Sequence, residues 1–110
     1  MKKIRILLVD DHAVVRMGLA ALLSAKADLE VVGQARSGEQ AVAESRRLRP
    51  DVVVMDLMMP KMNGVEATRL VRQSVPETRV LILTSVGTAP ELAKAVASGA
   101  SGAFIKSTPT

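Results

Sequence analysis

Five aspartates occur in the 110 residues, and three of them, Asp10, Asp11 and Asp56, directly follow short apolar runs. Ile4-Arg5-Ile6-Leu7-Leu8-Val9 leads into Asp10-Asp11, and Val52-Val53-Val54-Met55 leads into Asp56. Two further runs end on other chemistry: Arg79 to Leu83 on Thr84-Ser85, and Gly102 to Ile105 on Lys106. If the runs are parallel strands of one sheet, these groups gather where ligands bind such sheets, beyond the carboxyl ends of the strands. Three converging carboxylates repel one another, and a divalent cation relieves that repulsion. An oxygen-only donor set, with only His12 nearby as a nitrogen donor, favours Mg2+ over Zn2+. Mg2+ takes one or two carboxylates together with phosphate oxygens. The hydroxyl of Thr84, the ammonium of Lys106 and the cation can then neutralise a phosphoryl group. One carboxylate is left free to act as nucleophile and become an aspartyl phosphate.

The elements that must position these residues follow from periodicity. The strand-like runs are apolar nearly throughout, as strands buried on both faces are. A further short strand spans Leu29 to Gln34. Between the strands the period turns helical. Val15, Leu19, Leu22 and Leu23 give a helix from about His12 to Lys26 one apolar face. Ser37-Gly38-Glu39-Gln40 reads as a capping box that opens a second helix, with Ala41, Val42, Ser45 and Leu48 on one face and Pro50 closing it. Met59 to Gly64 is a loop with Asn63-Gly64 as its turn signal, and Val65 to Ser74 is a third helix. Thr88-Ala89-Pro90-Glu91 opens a fourth, running to Gly99. Strands alternating with helices predict an α/β fold, a doubly wound parallel sheet in one domain. The order 2-1-3-4-5 would make the first and third strands neighbours.

Each residue also has an ordinary use. Asp10 or Asp11 could cap the first helix, and Asp56 could be a turn residue. Thr84 and Lys106 singly say little. His12 reads as a first-turn helix residue and not a ligand. Met55, Met58, Met59 and Met62 read as packing and loop, not a partner groove. The joint pattern decides, because each group ends a different strand.

Composition excludes several classes. A single domain of this length buries roughly two-thirds of its unfolded surface and needs no staples. Without cysteine there are no disulfides or thiolate chemistry. Phe104 is the only aromatic, which argues against stacking on single-stranded nucleic acid. No apolar run is long enough to span a bilayer, and no signal peptide is evident, so a cytoplasmic location is expected. No phosphate-loop or dinucleotide fingerprint supports nucleotide binding. The net charge of +4 comes from basic residues spread along the chain. Their densest cluster, Arg46, Arg47 and Arg49, reads as a solvated helix end that complements the dipole, not a DNA surface.

In order, Ile6 to His12, Val54 to Gly64, Leu83-Thr84-Ser85 and Gly99 to Lys106 resemble a response-regulator receiver (CheY-like) domain. The resemblance covers residues 4 to about 107. Asp10-Asp11-His12 and Gly64-Val65-Glu66-Ala67-Thr68 are most similar to the NarL/FixJ (LuxR-type) group. It implies that Asp56 is the phosphoacceptor, that Asp11 ligates Mg2+ directly with Asp10 helping through water, and that the backbone carbonyl of Met58 completes the protein ligands. Lys106 would pair with a phosphoryl oxygen, and Thr84 would move to hydrogen-bond it. The donor would be a histidine kinase or a small molecule such as acetyl phosphate. The domain would catalyse only its own phosphorylation and dephosphorylation, homodimerise on phosphorylation, and reach DNA only through a separate output domain that regulates transcription. The alternative is a degenerate receiver acting only as a protein-interaction module, whose usual sign, a lost acidic pair, Asp or Lys, is missing. A Mg2+-dependent phosphatase would carry a second Asp two residues after the nucleophile, where this chain has Met58.

The sequence departs from the family pattern twice. Ala103 stands where the switch aromatic usually lies, three residues before Lys106, so the relay is expected to run through the segment Val86 to Pro90. Ser107 to Thr110 reads as the entry to a fifth helix. The expectation is a receiver over 1–110 that stops before that helix, with an apolar surface left exposed on one sheet face or covered by a partner chain.

Overall fold

A computed structural model of the chain describes residues 2–56, 59, 61–84, 93–94 and 96–105. The described elements are β1 (Ile4–Val9), α1 (Ala13–Ser24), β2 (Leu29–Ala35), α2 (Gly38–Leu48), β3 (Val52–Met55), α3 (Gly64–Ser74), β4 (Arg79–Thr84) and β5 (Gly102–Ile105). The five strands form one parallel sheet in the order β2-β1-β3-β4-β5, as the alternation of strands and helices predicts. Ala93, Lys94, Val96 and Ala97 are helical, within the expected fourth helix; its capping box at 88–91 lies outside the described residues.

Side chains alternate across a strand, so the sheet has two unlike faces. On one, Leu7, Val9, Val53, Met55, Val80 and Ile82 are buried and form a single core cluster. Ala41 and Val42 of α2 and Ala67 and Val71 of α3 close over it, with Leu48 and Leu70 packed at the edge. Small residues let both helices approach closely. The face expected for α2 is the one it buries.

The opposite face carries α1, and here the expected apolar stripe is corrected. Arg16, Leu19, Ala20 and Leu23 are half-buried, while Leu22 is 68% exposed and Val15 37%. Positions 16, 19, 20 and 23 follow the i, i+3, i+4, i+7 spacing of one helix face, and Arg16 fastens it. Arg16 Nε donates to Gln34 Oε1 (3.0 Å) and Nη1 to the carbonyl of Asp10 (2.7 Å). An arginine thus takes an inward position that apolar periodicity had assigned elsewhere.

The helix starts also differ in detail. Ser37 Oγ accepts from Gln40 N as a capping box requires, but Gln40 Oε1 accepts from Arg36 N and not from Ser37. Asn63, expected in a turn, is the N-cap of α3, and its side chain accepts from Glu66 N. Gly99 adopts φ +120°, a conformation L side chains rarely adopt, in the turn before β5.

Candidate functional site

Strand register brings the acidic residues together. Val9 lies opposite Met55 across β1 and β3, so the next residues, Asp10 and Asp56, leave the sheet side by side. Asp56 N donates to the Val9 carbonyl (2.9 Å), and Asp10 N to the Ala35 carbonyl (3.1 Å), which extends the ladder by one residue on each side of β1. Ala35 also extends β2 one residue beyond its expected end.

Met55 and Met59 are buried and Met62 packs against the core, as the packing reading expects of them; Met58 lies outside the described residues. Met62 presses on Gly38 so closely that a Cβ at 38 would lie 2.8 Å from the Met62 carbonyl oxygen. Lys61 makes the turn with φ +65°.

Asp10, Asp11, His12 and Asp56 each offer one ligand atom, and these atoms lie within 4.8 Å of one another. Asp10 and Asp56 are buried, at 3% and 6% exposure. Asp11 is half-buried and His12 exposed. His12 N donates to Asp10 Oδ1 (2.8 Å), and its ring Nδ1 lies 3.2 Å from both Asp10 Oδ1 and Asp11 Oδ1. Neither aspartate is the helix cap: His12 is, and its side chain makes no capping bond. At about 4 Å, two like unit charges repel by ~4 kcal/mol at an effective dielectric of 20. Asp11 Oδ1 is shielded from water and, although the His12 ring lies 3.2 Å away, accepts no hydrogen bond among the described residues. A shielded, unsatisfied carboxylate oxygen beside two further carboxylates fits a hard divalent cation.

Of the residues expected at the site, the structure brings together Asp10, Asp11 and Asp56. Thr84 closes β4 opposite Ile105 of β5, the next strands along the same rim. The Thr84 hydroxyl, Lys106, the Met58 carbonyl, the side chain at Ala103, and Val86 to Pro90 lie outside the described residues. Sequence reasoning missed Arg16, which supports Asp10 through its backbone; its only signal was position, one turn into the helix that follows the acid pair. His12, expected in the first helical turn, is instead the N-cap of α1, with its ring on the acid pair.

Such a fold, with an acidic group at the rim of a 2-1-3-4-5 sheet, defines a class. A family profile described as "Response regulator receiver domain" matches residues 6–110, and the chain belongs to that family. Among characterised relatives, the response regulator protein VraR of Staphylococcus aureus is 42% identical over 105 residues, 96% of this chain and 50% of the relative. The chain thus spans about half the length of the curated relatives it matches. Among solved structures, a LuxR-family two-component response regulator from Aurantimonas sp. SI85-9A1 is 40% identical with TM-score 0.92, over 97% of this chain and 76% of that one. The receiver domain of the putative response regulator NarL from Mycobacterium tuberculosis is 31% identical with TM-score 0.92, over 99% and 88%. These similarities place the receiver in the NarL/FixJ group, as the resemblance implied. The family is not in general classed as enzymes, and its members bind Mg2+ at an acidic pocket. No helix among the described residues is long and apolar enough to cross a membrane.

Proposed function

We propose that this chain is the phosphoryl-accepting switch of a two-component transcriptional regulator, with Asp56 as acceptor. One observation carries the reading: three carboxylates from two neighbouring strand ends each offer an oxygen to one group whose ligand atoms lie within 4.8 Å of one another. Mg2+, when bound, would neutralise phosphoryl oxygens and the acid cluster together. Asp11 and Asp56, with the Met58 carbonyl, would hold it, and Asp10 would act through water.

Asp56 is fixed by its backbone bond to Val9 and attacks the phosphorus of a histidine kinase's phosphohistidine or of acetyl phosphate. The new bond joins an Asp56 carboxylate oxygen to phosphorus, and the bond from phosphorus to the donor breaks in line. The donor imidazole or acetate leaves with the electron pair. Lys106 pairs with a phosphoryl oxygen, and Thr84 hydrogen-bonds another. Positioning and charge neutralisation supply the rate. Chemistry on other substrates is not expected. Phosphorylation favours a homodimer, and DNA is reached through an output domain outside this chain, in the cytoplasm. The acidic residues that a purely protein-binding, degenerate receiver would lack are all present and grouped.

Incubation with acetyl phosphate and Mg2+, read by intact mass, tests this. Wild type should gain one phosphoryl group and Asp56→Asn none, and Asp11→Asn should weaken Mg2+ binding about tenfold or more. Equal labelling of wild type and Asp56→Asn overturns the assignment.

A further inference from the structure

The outer side of α1 has no part in the phosphoryl chemistry above, and its surface is unlike those of α2 and α3. Those two helices turn Glu39, Arg46, Arg47, Glu66 and Arg69 to solvent. The only charge in α1 is Arg16, and that side chain is bonded inward to Gln34 and the Asp10 carbonyl. What α1 turns outward is Val14, Met17, Gly18, Ala21 and Leu22, all exposed, at the i, i+3, i+4, i+7, i+8 spacing of one helix face. An uncharged apolar face of this kind marks a contact surface.

We infer that this face pairs with the same face of a second copy of the chain, the two α1 helices running antiparallel about a two-fold axis at Gly18. The inference names a surface for the homodimer of the proposed function, and rests on that reading for its link to phosphorylation.

Three observations select a second copy. Gly18 sits in the middle of the face, where a Cβ would meet nothing within 4 Å, so packing inside the chain does not call for glycine. Glycine weakens a helix relative to alanine, and here its bare backbone lets a second helix approach closely. The face also matches itself, since a two-fold pair sets Val14 against Leu22 and Gly18 against Gly18, an isologous contact. Finally, the two ends of α1 differ in charge. The acidic group of Asp10, Asp11 and Asp56 lies at its start. Lys26 follows its end, where Lys2 and Lys3 line a shallow hollow with Ala27 and Asp28. Antiparallel pairing sets the lysine end of each copy against the acidic end of the other, and the positive end of each helix dipole against a negative one. A parallel pair would bring like ends together. One helix pair makes a small interface, so association is weak and the monomer prevails in dilute solution.

The chain has no cysteine, so every disulfide reports an introduced residue. The experiment oxidises single-cysteine variants of the concentrated 110-residue chain mildly, with and without acetyl phosphate and Mg2+. Gly18→Cys should form a covalent dimer. Val14→Cys alone should not, because its two copies stand about 12 Å apart along the axis, beyond disulfide reach, and neither should Leu22→Cys. An equimolar mixture of those two should cross-link about tenfold faster than either alone. In sedimentation, Leu22→Glu should weaken self-association about tenfold or more, because it buries a charge, while circular dichroism shows the fold kept. Lys26→Glu should weaken it about threefold, and more at low salt than at high.

A concentrated chain that stays monomeric with and without acetyl phosphate overturns the inference. So does self-linking of Val14→Cys as fast as the mixture, or a dimer that Leu22→Glu leaves unchanged, which would place the contact on another face. Failure of the underlying reading looks different: Asp56 then takes no phosphoryl group, and the cross-links form at the same rate with and without acetyl phosphate.

Discussion

The two faces of the sheet use similar residues and reach different ends. Under α2 and α3, Val53, Met55, Val80 and Ile82 have no exposed surface. On the other face their strand neighbours Val52, Val54, Leu81 and Leu83 are only half-buried. The covering helices invert the usual expectation. α2 and α3 are the polar ones, yet each buries four residues, whereas the apolar α1 buries none. Val14, Met17 and Leu22 of α1 stand 85%, 63% and 68% exposed. Burial is decided by what lies opposite a helix, and small residues such as Ala41, Ser45 and Ala67 seal a face better than large ones with no surface to meet.

Mutations can break this contrast. Leu7→Ala, in the sealed core, should cost about 2–5 kcal/mol of stability, read by urea denaturation. A cost below ~1 kcal/mol would show that the sealed face relaxes as freely as the open one. Leu22→Ala on α1 should change stability by less than ~0.5 kcal/mol. A loss comparable to that of Leu7→Ala would mean that the outer side of α1 is covered in solution.

The smallest effect belongs to the surface of α2. A hydrogen bond from Arg47, at 2.6 Å, holds the Glu44 carboxyl below its ordinary pKa. A carboxyl lowered in the folded state adds stability above its unfolded pKa, and that stability fades as the pH falls through the folded value. Glu44→Gln should therefore be slightly less stable than wild type near neutrality and match it in acid, in denaturation midpoints compared across pH. A gap that widens in acid would reverse the sign.

The strands were readable because buried parallel strands demand unbroken apolar runs. The spans of β1, β3 and β5 match expectation, and β2 and β4 each extend one residue further. Strand ends then placed Asp10, Asp11 and Asp56 at one rim. Side-chain direction was less readable. Leu22 and Arg16 both belong to α1, and hydropathy favours burying the leucine, but hydrogen bonds to the Asp10 carbonyl and Gln34 draw the arginine inward. Asn63-Gly64 reads in the sequence as a turn signal, and the capping role of Asn63 shows only once the start of α3 is placed. The basic cluster behaves as a solvated helix end: Arg46 bonds Ser74, Arg47 pairs with Glu44 and Arg49 with Glu77.

Position 38 ties together two stretches of sequence that could otherwise drift apart. A methyl group there would meet main chain as well as the flexible Met62 side chain, so trimming Met62 alone would not make room. Any homologue that replaces this glycine must also redraw the path from Asp56 to α3, through a changed loop length or a different turn at Lys61. Substitutions at an outwardly plain helix start are thereby coupled, over evolutionary time, to the segment that leaves the acidic rim.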